Sequence, residues 1–158
     1  MAVWLARSRD KARVTPEPTI ASQAKVASSP GGKGAPAVHD QFEPANSNDH
    51  DHGYLHWWPK TGTMEWIEYD FGKPVSVSET SVYWFDDTGQ GECRVPASWK
   101  AFFRAGEKWI PVQTSDPFAT AKDAYNTVRF SPVQTTGLRL EIQLPAKFST
   151  GIQEWKVK

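Results

Sequence analysis

From Met64 onward, apolar and polar residues alternate with a period of two, the pattern of strands with one buried face. In Glu65–Phe71 (EWIEYDF), Ile67, Tyr69 and Phe71 fall on one face, and Glu68 and Asp70 on the other. Phe71–Pro74 (FGKP) reads as a turn, and Val75, Val77, Val82 and Trp84 predict the next strand or strand pair. Ser98–Arg104 puts Trp99, Ala101 and Phe103 on one side, and the turn AGEK leads into Trp109–Val112, which predicts a β-hairpin. Tyr125–Val133 and Gly151–Val157 are further strand phrases, and in Leu138–Leu144 three leucines and Ile142 alternate with Arg139, Glu141 and Gln143. Upstream, Thr19–Ser29 alternates small and apolar residues and predicts an opening strand. Ser29–Pro36 reads as a flexible loop; its GGKG has neither the spacing nor the following Ser or Thr of a phosphate loop. Val38–Thr63 is a long irregular segment, Asp86–Glu92 a polar loop, and Thr114–Ala124 a loop with room for one helical turn. Short strands separated by turns, with no sustained helical period, predict an all-β fold: an antiparallel jelly-roll β-sandwich.

Composition narrows this further. A chain of 158 residues supports one domain with a sizeable core, and 12 Pro, 11 Gly and 8 Trp suit a turn-rich β protein. Lysines and arginines number 18, as do aspartates and glutamates, so the basic footprint of a nucleic-acid binder is missing. No apolar stretch has the length of a membrane span. Cys93 is the single cysteine, which rules out an intrachain disulfide. The start, MAVWLARSRDKAR, lacks the apolar core of a signal peptide. AVWLAR reads as the last strand of something preceding it. The expectation is therefore a fragment of a longer exported protein, with residues 1–18 as tail and linker and residues 19–158 as the sandwich.

The long irregular segment carries the densest chemistry. Sugar sites need a flat aromatic face for the C–H side of a ring and polar groups for its hydroxyls. Tyr54 with Trp57 or Trp58 supplies candidate faces, one of the two tryptophans being expected in the core. His52, Asp86, Asp87, Gln90 and Arg94 supply candidate hydrogen bonds. Trp66, Trp84, Trp99, Trp109 and Trp155 lie in strand phrases and are assigned to core or inter-domain packing. The same residues also contain two catalytic alternatives. His50, His52 and His56 with Asp49 and Asp51 have the donor types of a metal centre, against the reading of a solvated polar loop. Asp86–Asp87 with Glu92 has the composition of a glycosidase acid pair, against that of turn-forming acids. Cys93 beside Arg94 is read as a half-buried inert thiol rather than a nucleophile.

The phrases EWIEYDFGKP, RVPASWKAFFRAGEKW and GIQEWKV, in this order, resemble discoidin domains and family 32 carbohydrate-binding modules, of the galactose-binding-like fold. PTIASQAKVASS, PANSND, HWWPKTGTMEWIEYDF and VYWFDDTGQGECRVPASW resemble, more narrowly, the C-terminal module of bacterial proteins related to glycoside hydrolase family 127, the β-L-arabinofuranosidase group. The resemblance implies a noncatalytic carbohydrate-binding or accessory module. Its partners would be a plant-derived glycan and an upstream catalytic domain, in the periplasm or outside the cell. It also implies a structural Ca²⁺ whose ligands match Asp40, Ser47 and Glu154, although HDQFEPANS departs from the usual DGN-x-x-T wording of that loop. Such an ion takes six to eight oxygen donors in flexible geometry. The alternatives are a purely structural domain packed on the upstream region and, more remotely, an autonomous glycan-acting enzyme.

Overall fold

A computed structural model describes residues 16–158. The AVWLAR phrase lies outside them. The elements are α1 (Ile20–Gln23), β1 (Lys25–Ser28), a 3-10 turn (Ala35–His39), β2 (Leu55–His56), β3 (Met64–Phe85), β4 (Ser98–Ala105), β5 (Lys108–Pro111), β6 (Tyr125–Gln143) and β7 (Gly151–Val157).

Two long strands organise the whole. β3 and β6 pair antiparallel along nearly their full length, with register shifts between Asp70 and Val75 and between Val77 and Glu79. At the first shift Gly72 takes φ +74° and its amide is held by the Asp70 carboxylate at 2.8 Å. The ladder bends there, as strands do when they pass from one sheet to another. The expected turn at Phe71–Pro74 is thus a kink within one strand. Before it, β3 pairs with β1, and the matching half of β6 pairs with β4, which pairs with β5. After it, β3 pairs with β7, which pairs with β2.

The two halves face each other across one core. Tyr69 of the first half stacks on Trp155 of the second at 3.8 Å, and Trp84 meets Trp99 edge to face at 5.5 Å. Ile67, Val82, Val128, Leu138, Leu140, Ile142 and Ile152 are fully buried between them. The alternation in Leu138–Leu144 and the hairpin of β4 and β5 match the pattern predicted for them.

Thr19–Ser29 differs from expectation. Thr19 and Ser22 cap each other reciprocally, the Thr19 hydroxyl accepting the Ser22 amide at 3.0 Å and the Ser22 hydroxyl accepting the Thr19 amide at 2.7 Å. That arrangement stabilises a single helical turn. The buried Ala21 and Ala24 are three apart, a spacing that suits this turn. The strand is confined to Lys25–Ser28.

Just past β1, the buried Ser29 joins three segments. Its hydroxyl accepts the Trp57 indole N–H at 3.0 Å and the Trp66 amide at 3.1 Å, and donates to Glu65 at 3.2 Å. Ser29→Ala leaves two donors without their acceptor. It should lower the unfolding free energy by roughly 2–4 kcal/mol, read from urea denaturation at constant slope; a change under about 0.5 kcal/mol would show that the hydroxyl is dispensable.

Candidate functional site

β2 is short, yet its alternation continues beyond its end. Leu55 and Trp57 are fully buried, His56 is half-buried, and Trp58 is 49% exposed. Trp57 is fixed at both its donors, the indole N–H to Ser29 and the backbone amide to the Thr150 carbonyl at 3.2 Å. Trp58 is thereby held outward by a neighbour locked into the core. Tyr54 is arranged similarly. Its ring stacks on the buried Phe85 at 3.7 Å with an 11° interplanar angle, and His50 packs edge-on against both rings.

These residues line a cleft of about 560 Å³, within the range of small-ligand sites. One contributing segment is Lys33 with Tyr54, His56 and Trp58; the other is the end of β3 and the loop after it, Phe85, Asp87 and Gln90–Cys93. The backbones of Lys33 and His56 exchange hydrogen bonds at 2.9 and 3.0 Å, which brings the Ser29–Pro36 loop to the site. The His56 imidazole is held below its ordinary pKa, first by burial and then by the Lys33 charge, with Asp87 opposing. With the lowered pKa the neutral form prevails at pH 7; its Nδ1 is buried without a partner, so only Nε2 can face a ligand.

The eight residues expected to bind ligand divide. Tyr54, Trp58, Asp87 and Gln90 come together in the cleft. Trp57 does not: it is 0% exposed and belongs to the core, so it presents no face. Asp86 is buried. Its carboxylate accepts the Thr88 amide at 3.0 Å, the Thr88 hydroxyl at 2.5 Å and the Val95 amide at 3.0 Å. Burial opposes ionisation, but these donors and Lys122 outweigh it and hold the carboxyl below its ordinary value. Asp86 therefore shapes the loop and does not face the cleft, which Asp87 and Glu92 line. Arg94 donates to the Gly91 and Cys93 carbonyls at 2.8 Å and lies 4.2 Å over the Phe148 ring, bracing the loop instead of lining the cleft. His52 lies elsewhere, stacked on Phe42 at 3.3 Å. Cys93 is buried, and burial first, then the Asp87 charge, pushes its thiol up to about 12, so it is an inert thiol. Lys33, His56, Phe85 and Glu92 join the site without having been expected as ligand contacts.

The histidine-rich segment does not assemble a metal centre: among the described residues, no three His, Cys, Asp or Glu side chains group to hold an ion. Of the residues matched to calcium, Ser47 is engaged throughout. Its hydroxyl accepts the Asp123 amide at 2.7 Å, its amide donates to Asp123 at 2.8 Å, and its carbonyl accepts the Asp86 amide and the Gln153 side chain at 2.9 and 3.1 Å. Glu154 is different. It is 1% exposed with Oε1 unpartnered, and burial pushes its carboxyl up to about 9, with Asp40 and Glu43 adding and Lys156 opposing. Asp40, more exposed, accepts the Phe42 amide at 2.9 Å. The Gln153 Oε1 is likewise buried and unpartnered, beside a cavity of about 10 Å³ that Asp40 and Asp49 also line. Asp40 and Glu154 thus have the oxygen chemistry a hard cation needs, whereas the Ser47 hydroxyl and carbonyl already accept hydrogen bonds from the protein.

No family model matches the chain. Solved structures share its architecture. A chain of the β-galactosidase BgaA of Streptococcus pneumoniae superposes with a TM-score of 0.65 at 18% identity, over 77% of this chain and 83% of that one. The family 32 carbohydrate-binding module of Clostridium perfringens NanJ, solved with galactose, gives 0.64 at 15% over 87% and 96%. Chitosan-binding module 2 of a Paenibacillus sp. IK-5 chitosanase/glucanase, solved with chitotriose, gives 0.59 at 17% over 88% and 98%. The likeness establishes the fold, a galactose-binding-like β-sandwich.

The two adjacent tryptophans should behave oppositely. Trp57→Ala empties a fully buried site and should cost roughly 3–5 kcal/mol. Trp58→Ala should change stability by less than about 0.5 kcal/mol. Thermal or urea unfolding of the two variants checks this, and equal losses would mean that Trp58 is also part of the core.

Proposed function

We propose that this protein is a noncatalytic carbohydrate-binding module, and that the cleft between Trp58 and the loop after β3 takes the glycan. The observation that carries this reading is the half-open cleft itself, in which an exposed indole and a braced tyrosine ring adjoin Lys33, His56, Asp87, Gln90 and Glu92. A pyranose has an apolar C–H face and a rim of hydroxyls. Trp58 and Tyr54 offer the flat faces, and the five polar residues offer donors and acceptors for the rim. The structural neighbours that carry galactose or chitotriose support the same reading. The parent protein is a bacterial glycoside hydrolase related to the β-L-arabinofuranosidase group, exported, with its catalytic domain upstream and plant glycans as target. That part rests on the sequence phrases alone.

A glycan array tests this directly. The isolated domain should bind selectively and saturably, and Trp58→Ala should weaken binding roughly tenfold or more with unchanged melting temperature. A second reading, a structural domain packed on its upstream neighbour, draws on the outer face of the first sheet half. There Arg139 lies 4.6 Å over Trp66 and 5.9 Å over Trp109, paired to Glu68 and Glu141, with both rings half-buried. A folded domain that binds no glycan yet associates in trans with the upstream region would replace the first reading with the second.

We also propose a structural Ca²⁺ held by Asp40 and Glu154, supported by the unpartnered Glu154 oxygen. Without calcium, folding raises the Glu154 pKa from 4.5 to about 9. The folded state then retains a proton that the unfolded state releases. This contribution to stability is complete below about pH 4.5 and is lost as pH rises through about 9. In chelator, stability should therefore fall across that window, and Glu154→Gln should flatten the fall. Added calcium should raise the melting temperature of the wild type, more at pH 8 than at pH 5, and leave Glu154→Gln unmoved. No calcium response at pH 8 would refute the ion.

A further inference from the structure

The loop after β3 is wound around one side chain. The Asp87 amide donates to the Cys93 carbonyl at 3.1 Å, and the Asp87 carbonyl accepts the Gln90 and Gly91 amides, both at 2.9 Å. The side chain is oriented just as firmly. Oδ1 accepts the Cys93 amide at 2.9 Å and lies 3.8 Å from Arg94 Nη1. Arg94 is tied to the same loop through the Gly91 and Cys93 carbonyls. Oδ2 alone has no partner among the described residues, on a residue that is 8% exposed and lines the cleft.

Gly91 makes this placement possible. A Cβ there would overlap Asp87 Oδ2 and come within 2.7 Å of Cγ, and the three nearest atoms it meets all belong to the Asp87 side chain. Gly91 does not adopt the left-handed backbone, so the nearest obstacle to alanine here is the carboxylate folded over it.

We propose that Asp87 is the specificity-determining residue of the cleft, its Oδ2 accepting a hydrogen bond from a ring hydroxyl of the bound sugar, and that Gly91 positions it. This deepens the carbohydrate reading and rests on it. A ligand docking over Oδ2 removes its remaining water, so a sugar with a hydroxyl at that point replaces the lost bond. A sugar lacking it leaves a nearly buried carboxylate oxygen unpaired, which is penalised more than a missing neutral contact. The residue therefore acts mainly by rejecting the wrong sugar.

The test is a cycle between protein and ligand. The probes are methyl β-galactoside, methyl β-glucoside and methyl β-glucosaminide, titrated by NMR, followed by the monodeoxy forms of whichever binds most tightly. On the wild type, one monodeoxy form should bind roughly tenfold or more weakly than its parent, the others nearly as well. Asp87→Asn keeps an oxygen for the Cys93 amide but presents NH₂ in place of Oδ2; it should bind parent and deoxy forms alike. Gly91→Ala, checked as folded by its NMR spectrum, should lose the same discrimination, and should add no further loss of discrimination in the Asp87→Asn background. Gly91→Ala that discriminates like the wild type, or Asp87→Asn that still rejects the same deoxy form, would overturn the assignment. Tightest binding of the glucosaminide, weakening as salt is raised, would assign the bond to an ammonium and overturn the hydroxyl. If the folded wild type binds none of the probes and no glycan on the array, the carbohydrate reading itself falls.

Discussion

Everything in this fold depends on β3 and β6 staying paired while both bend. Because the ladder continues through the kink at Asp70–Val75, each strand contributes to both halves of the sandwich. The two halves then cannot slide independently, since a one-residue slip in either would turn every core side chain outward. The Tyr69–Trp155 stack and the bond from the Tyr69 hydroxyl to the Trp155 carbonyl at 2.8 Å fasten the halves across the core. The same register decides where the cleft lies. Phe85, the last residue of β3, pairs with Gly151, the first of β7, and Ile152 pairs with Leu55 of β2. Three strands therefore terminate together, and the segments leaving them, Tyr54–Trp58 and the Asp86–Cys93 loop, are brought side by side.

The cleft is built from fixed and free neighbours. Trp57 is locked so that Trp58 stands out, Phe85 is buried so that one face of Tyr54 is braced, and Asp87 Oδ1 is bonded so that Oδ2 is left over. Each free group sits beside or on an immobile one. Such an arrangement lowers the conformational entropy lost when a ligand docks, which matters most for a small, open site that removes little ligand surface from water. The charges follow the same economy. Asp87 and Glu92 are balanced by Lys33 in the cleft and Arg94 behind the loop, a balance that suits an uncharged, hydroxyl-rich ligand better than an anion.

What was legible in the residues was whatever rested on local periodicity. Leu138–Leu144 alternates without interruption and is a strand; Ser98–Arg104 and its hairpin turn were equally plain. Thr19–Ser29 departs from its expected strand because small residues fit a two-residue period and a helical turn equally well, and the reciprocal Thr19–Ser22 cap decides between them. One of Trp57 and Trp58 was expected in the core; which one follows from the phase of β2, a strand of two residues, too short to announce itself. Lys33 and His56 were invisible as a pair because only their backbones join them, across a stretch without any pattern. Asp86 and Asp87 look identical in sequence, and their opposite roles come from which carboxylate the local amides saturate.

The buried polar groups point to a division of labour between the two ends of the irregular segment. Near its start, Ser47 satisfies its own bonding through Asp123, Asp86 and Gln153, and so ties the segment to the loop before β6, to the end of β3 and to β7. Glu154 nearby is left with an unpartnered oxygen in a dry place, where a carboxylate is costly unless a proton or a cation neutralises it. Near its end, Tyr54–Trp58 carries the exposed rings. A segment this long would lose much entropy on ordering if it were held at one end alone. With Ser47 bonded at one end and Leu55 and Trp57 buried at the other, the rings are held by the same core that the β3–β6 register creates. The polar anchoring at Ser47 and the aromatic display at Trp58 are therefore two consequences of one segment ordered at both places.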